Sequence, residues 1–316
     1  MQSKNHYFFI APFIFLLACG HLNKAQKTYD TGDYSQALMM AKTQIAQDST
    51  NSAAWVLAGD CFEKLTKKDS AISFYENAIA LNTTDTETKQ KLTALYVQKA
   101  AETPKDTRTA LNFLNKAEKL TPTSFDVYMN RGKIYTELTN INKARADFLK
   151  AQELSPNDPR PNEQISRLDI KEKQAQELYE KGSKAYKQKK WISAQNQLNQ
   201  AAEINRDNKD FRYMAHMANG QRAYKKGSVS ALWDGISELG FATQLKPQEP
   251  EPWFLMGLCY EKKDRNDFTS AIEPYEKVID LAPESEYAVK AQEHIKKLNT
   301  LRERREKFFG KQKKDE

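Results

Sequence analysis

Small and aromatic residues recur along this chain at spacings that define a unit of 34 residues. In Phe125–Asp158 they are Tyr128, Gly132, Tyr135, Ala144, Phe148, Ala151 and Pro156, at positions 4, 8, 11, 20, 24, 27 and 32. The steps predict two helices: small residues at 8, 20 and 27 allow close approach, and aromatics at 4, 11 and 24 fill the remaining space. Pro156 cannot continue a helix and ends the second one. The same frame fits Ser52–Asp85, where Trp55, Gly59, Phe62, Ala71, Tyr75 and Ala78 fall in register. No run of alternating β-branched residues predicts a strand.

The frame extends in both directions. Tyr29, Gly32-Asp33-Tyr34 and Ala37 mark a first unit, with one helix beginning near Leu22 and a second ending near Gln47. Thr86–Ser124 carries Leu92, Tyr96, Ala110, Leu114, Ala117 and Pro122, but fourteen residues separate Tyr96 from Ala110 where nine are expected. The extra five predict a longer turn around Glu102–Asp106. Ala175–Asn208 fits through Gly182, Tyr186, Trp191, Ala194, Leu198, Ala201 and Ile204. A sixth unit is degenerate. Asn219–Lys225 mirrors Lys181–Lys187, which puts Gly220 at position 8, with an insertion near Ser228–Asp234; the alternative register would put His216 where a small residue belongs. The seventh has Trp253, Gly257, Tyr260, Ala271, Tyr275, Leu281 and Pro283, with two extra turn residues around Asp264–Asp267. Between the fourth and fifth units, Ile165, Leu168, Ala175, Leu178 and Gly182 predict one long helix from about Pro161 to Gln188, or a kinked one broken near Glu172. A last helix from Glu286 to about Lys307, largely polar, suits a solvating cap, followed by a frayed tail.

This period and pattern resemble the tetratricopeptide repeat (TPR), a helix–turn–helix unit. The resemblance implies an all-α TPR α-solenoid, a right-handed superhelix of about seven repeats. The expected organisation is a leader at residues 1–18, an N-terminal block at 19–158, a linker at 159–174, a second block at 175–285, a capping helix at 286–307 and a basic tail at 308–316. Arrays of this family bind peptides or protein domains along a concave face built from first-helix positions 2, 5, 9 and 12. In the first block these positions are mostly polar, as at Asp60, Glu63, Gln90, Asp126, Lys133 and Thr136. In the second they become apolar: Tyr179, Tyr186, Met217, Tyr224, Phe254 and Leu258. Those six residues are the expected partner-binding groove, or else ordinary packing against neighbouring helices. The Lys/Arg/Asn clamp for a C-terminal carboxylate is not matched.

Composition agrees with an array. The 316 residues are 39% apolar and 29% charged, with 11 Gly and 11 Pro, and the mean hydropathy is -0.79. The net charge of +7 suggests nucleic acid only until it is located. Lys296–Glu316 holds nine Lys/Arg against four Asp/Glu, which leaves a near-neutral body without a footprint for a phosphate backbone.

Met1–Ala18 places Lys4 and His6 before an apolar run from Tyr7, too short for a standing transmembrane helix and suited to an export signal. Its end, Leu16-Leu17-Ala18-Cys19-Gly20, resembles the lipobox of bacterial lipoproteins, which implies cleavage before Cys19 and acylation of that residue. The resemblance implies an exported protein held on a membrane by lipid at Cys19, and Gly20 in place of Asp favours the outer membrane. Cys61 and Cys259 fall at equivalent positions several repeats apart, so both are expected to be buried, unpaired thiols.

Candidate chemistry is sparse. His6, His21, His216 and His294 are scattered without metal-ligand spacing. No phosphate loop, nucleophile elbow or Cys–His pairing occurs, so no catalytic residue, metal or cofactor is expected. Trp55, Trp191 and Trp253 occupy packing positions, which leaves Trp233 as the single unexplained platform for a glycan. The function these features support is a membrane-anchored scaffold recruiting other envelope proteins. A glycan- or peptidoglycan-binding lipoprotein and a soluble periplasmic chaperone are the alternatives.

Overall fold

The computed structural model describes the backbone of residues 11–312 and the side chains of residues 21–308. Every regular element among them is an α-helix. The helices fall into consecutive pairs: α1 (Ala11–Asp30) with α2 (Tyr34–Gln47), α3 (Ser52–Lys64) with α4 (Lys68–Leu81), α5 (Thr86–Glu102) with α6 (Thr107–Leu120), and α7 (Phe125–Glu137) with α8 (Ile141–Leu154). There follow α9 (Pro159–Lys187) with α10 (Trp191–Ile204), α11 (Lys209–Lys226) with α12 (Val229–Leu245), and α13 (Pro250–Lys263) with α14 (Phe268–Leu281). Helix α15 (Glu286–Gln312) ends the series. The described residues divide into two compact units. One runs up to Ile134 and includes Leu149–Asp158; the other comprises Tyr135–Phe148 and the chain from Pro159 onward.

The repeat frame has a direct packing cause. A Cβ built on Gly59 would lie 2.5 Å from the Tyr75 ring, and one on Gly257 would lie 2.6 Å from the Tyr275 ring. The same construction puts Gly182 2.6 Å from Leu198 and Gly220 2.5 Å from Leu239. Position 8 is therefore small because the position-24 side chain of the paired helix occupies the space of its missing Cβ. Tyr75, Leu198, Leu239 and Tyr275 are fully buried. The Gly220–Leu239 contact fixes the register of the sixth pair, with Gly220 at position 8.

Short polar residues start most helices. Asp33, Asn51, Asp85, Asp106 and Asp267 each accept a hydrogen bond from the amide three residues on, which satisfies a donor the helix leaves unpaired. The start of α8 is held differently. The amides of Asn142 and Lys143 donate to the two carboxylate oxygens of Asp207, at 3.2 and 3.0 Å, from the α10–α11 turn. Beside them the Arg206 amide donates to the Thr139 carbonyl at 2.9 Å. Arg145 then forms ion pairs with Asp169 at 2.7 Å and Glu172 at 2.6 Å, both on α9.

Several boundaries differ from the sequence expectation. The five extra residues of the third pair mostly lengthen α5, which has 17 residues against 13 in α3, while the turn grows only to 103–106. Ala100 in the added stretch is buried, which rewards continued helix, and Pro104 bars it from going further. The sixth pair behaves alike: α11 and α12 are long, and a tight turn of Gly227 and Ser228 joins them. Gly227 has φ +73, the left-handed conformation that ends a helix most readily with glycine. Helix α9 is one element through Glu172. Helix α1 runs unbroken from Ala11, the first described residue, through Leu22 to Asp30, longer than the short first helix expected. Helix α15 continues past Lys307 to Gln312.

Cys61 and Cys259 are free and fully buried, as expected. Burial pushes their thiols up to about 11 and about 12, so neither is an available thiolate at neutral pH. No described helix is long and apolar enough to cross a membrane. Cys19 lies in the backbone of α1, but its side chain, and the leader before Ala11, lie outside the described residues.

Candidate functional site

In the second unit the first helices of successive pairs touch one another, α9 with α11, α11 with α13, and α13 with α15. The six residues expected to line a groove lie on α9, α11 and α13. The structure splits them into a packed layer and an open groove.

Tyr179, Tyr186, Met217 and Phe254 belong to the packed layer. Met217 is 1% exposed and Phe254 8%, so neither is a surface anchor, which corrects their assignment as groove residues. Phe254 is enclosed by the rings of Tyr287, Tyr275 and His294, with centroids 5.5, 5.6 and 5.8 Å away. Met217 fills the core between α11 and α12 with Leu232 and Leu239. Tyr179 is half-buried against Phe211 at 4.9 Å. Tyr186 lies edge-on to Trp191 and donates its hydroxyl to Glu251 at 3.0 Å. Tyr287 also hydrogen-bonds to Glu251. Burial pushes the Glu251 carboxyl above the ordinary range, and the two tyrosine hydrogen bonds offset this only in part. Burial, with Glu251 beside it, holds the Tyr287 phenol up at about 12. Tyr186 of α9 and Tyr287 of α15 thus both close on the Glu251 carboxyl of α13.

Tyr224 and Leu258 remain in a groove of about 710 Å³. Phe268, Leu298 and Leu301 complete its apolar floor, and Leu301 is 42% exposed. Lys262 lies 4.7 Å above the Tyr224 ring and donates to the Tyr224 carbonyl at 2.9 Å. Glu261 ties α13 to α15, accepting from His294 Nδ1 at 2.6 Å and Lys297 Nζ at 2.9 Å. Burial pushes the Glu261 carboxyl up, but the hydrogen bonds and charges of Lys297 and His294 outweigh it and hold the group below its usual range. The rim also carries Arg265 and Arg305. An apolar floor of this size with a cationic rim suits an inserted aliphatic or aromatic side chain from a protein partner.

Sequence reasoning missed Phe268, Leu301 and the α15 side of this groove. The polar pattern of α15 predicts a cap, yet Leu298 and Leu301, three residues apart on it, mark an apolar edge. The expected glycan platform is also changed: Lys263 lies 3.9 Å over the Trp233 ring and Tyr260 packs edge-on to it, so Trp233 has structural partners. In the first unit the inner positions form a polar network, with Asp60 bound to Lys91 at 2.9 Å and to the Tyr75 hydroxyl at 2.5 Å. Among the described residues no cluster of three His, Cys, Asp or Glu could hold a metal.

Tetratricopeptide-repeat family models match residues 52–85, 125–158 and 253–285, which are the second, fourth and seventh helix pairs. Those three pairs are thus tetratricopeptide repeats, and the all-helical architecture is consistent with a TPR α-solenoid, a fold that generally serves as a protein-interaction scaffold. No curated protein matches it. Among solved structures it is similar to a tetratricopeptide repeat protein from Parabacteroides merdae, at 15% identity over 89% of this chain and 98% of that one, with a TM-score of 0.38. It is similar to the TPR domain of P58(IPK), at 13% identity over 90% and 98% of the two chains, with a TM-score of 0.37. YrrB, a TPR protein with an unusual peptide-binding site, gives 15% identity over 80% and 97%, with a TM-score of 0.29. Superpositions this loose assign neither a partner nor a role.

Proposed function

We propose that this protein is a lipid-anchored scaffold of a bacterial cell envelope, most simply on the outer membrane, which holds partner proteins through the α11–α13–α15 groove. The observation that carries the binding part is the groove itself: half-buried Tyr224 and Leu258 line it beside exposed Leu301. The anchoring part rests on the Leu16–Gly20 motif and the apolar run before it. Acyl chains contribute about 0.8 kcal/mol per buried CH₂, and several on one residue hold a protein stably at a bilayer.

Crosslinked capture from intact membranes tests the groove, with wild type compared with Leu301→Asp. Leu301 is exposed enough that the substitution leaves folding intact. A partner retained by wild type and lost by the folded variant supports the reading. Identical partners from both proteins would remove the groove from consideration. Cys19→Ser tests the anchor, since membrane association that survives it would refute lipidation at that residue.

A further inference from the structure

A cleft of about 960 Å³ lies between the first half of α10 and the end of α11, apart from the groove described above. Its wall carries Trp191, half-buried, and Ile192, 63% exposed. Lys190, Arg222, Lys225 and Lys226 surround it, and no Asp or Glu lines it. Arg222 is turned toward Gln195. The lysines have no carboxylate within ion-pair distance among the described residues, and no capping hydrogen bond from Lys190 covers the first amides of α10. Side-chain amides also line it: Asn196 and Gln200 are exposed and Gln197 is half-buried.

Lysines at the end of α11 follow from the helix dipole alone. That does not account for amides and an apolar wall within the same cleft. Asn and Gln side chains match the alternating donors and acceptors of an extended main chain. Lysines match carboxylates, and Trp191 with Ile192 matches one apolar side chain. An acyl chain would leave the amides unpaired, and inorganic phosphate would leave the apolar wall unused.

We propose that the α10–α11 cleft binds an extended acidic peptide segment carrying one aliphatic or aromatic residue. The site is independent of the α11–α13–α15 groove and does not rest on membrane anchoring.

Fluorescence anisotropy with a fluorescein-labelled peptide of glutamates around one phenylalanine tests this on the full chain. A matched peptide with lysines in place of the glutamates, and vesicles of phosphatidylglycerol, are the comparisons. Wild type binds the acidic peptide saturably and not the basic one. Lys190→Glu combined with Lys226→Glu weakens binding at least about tenfold, since two charge-assisted hydrogen bonds are lost. Asn196→Ala combined with Gln200→Ala weakens it at least about threefold through the neutral hydrogen bonds. Leu301→Asp, in the other groove, leaves it unchanged. Absence of saturable binding overturns the proposal. So does indifference to the amide substitutions, which would reduce the effect to plain charge attraction. Vesicle binding that the charge reversal abolishes, with no peptide binding, would assign the cleft to lipid instead.

Discussion

Gly257→Ala and Gly240→Ala are expected to change stability in different ways although both replace a glycine inside a helix of the same unit. Replacing glycine by alanine in a helix interior stabilises by about 0.8–1 kcal/mol, a gain common to both variants. At Gly240 an added Cβ meets nothing within 4 Å, so only that gain remains. At Gly257 the Cβ would stand 2.6, 2.7 and 2.8 Å from three atoms of the Tyr275 ring, where ordinary contact begins near 3.4 Å. Tyr275 is fully buried and cannot retreat freely: Phe254 and His294 pack on its ring, and its hydroxyl reaches Glu261 at 3.2 Å. Overpacking of this kind costs about 1–3 kcal/mol. Because the propensity term cancels, Gly257→Ala should be less stable than Gly240→Ala by that amount. Urea unfolding followed by far-ultraviolet circular dichroism on both variants, at matched concentration, measures the difference. Equal midpoints would refute the assignment of position 8 as a contact with position 24, and with it the packing origin of the repeat.

Phe254→Ala removes a side chain enclosed by three rings and should cost about 3–5 kcal/mol, read as a large fall in melting temperature; a small fall would return Phe254 to the surface. Asp207→Ala removes the acceptor for two α8 amides and should cost about 0.5–2 kcal/mol, with faster amide exchange at Asn142 and Lys143 as its local signature. Unchanged exchange there would separate Asp207 from α8. The Glu261 carboxyl is held low in the folded chain, so its stabilising contribution is complete above the unfolded-chain value and is lost as pH falls through the lowered folded value. Glu261→Gln should therefore flatten the acid limb of the stability profile, and an identical limb in both proteins would show that the ion pairs with His294 and Lys297 contribute nothing.

The helix pairs were legible in the sequence because each rests on local contacts. Gly59 and Tyr75, or Gly257 and Tyr275, stand in one repeat, so a fixed spacing records their meeting. The same holds for the buried thiols, which share a position in the frame. Insertions were less legible. The spacing between Tyr96 and Ala110 shows that five residues are added, while whether they lengthen α5 or the turn depends on what Ala100 can bury itself against. The candidate site was half legible for the same reason. Tyr224 and Leu258 were found by position, but position cannot separate them from Met217 and Phe254, which share the face and differ only in what the neighbouring helices place above them.

The repeat, its period and the paired helices follow from the sequence alone, because periodicity and small-for-large complementarity act within one or two repeats. Which of the six expected groove residues line the α11–α13–α15 groove and which are packed away depends on the tertiary structure. Tyr186 and Glu251 are 65 positions apart, and Asp207 caps a helix that begins 66 positions before it. Contacts over such separations come from how successive helices stack, a geometry that no local spacing encodes.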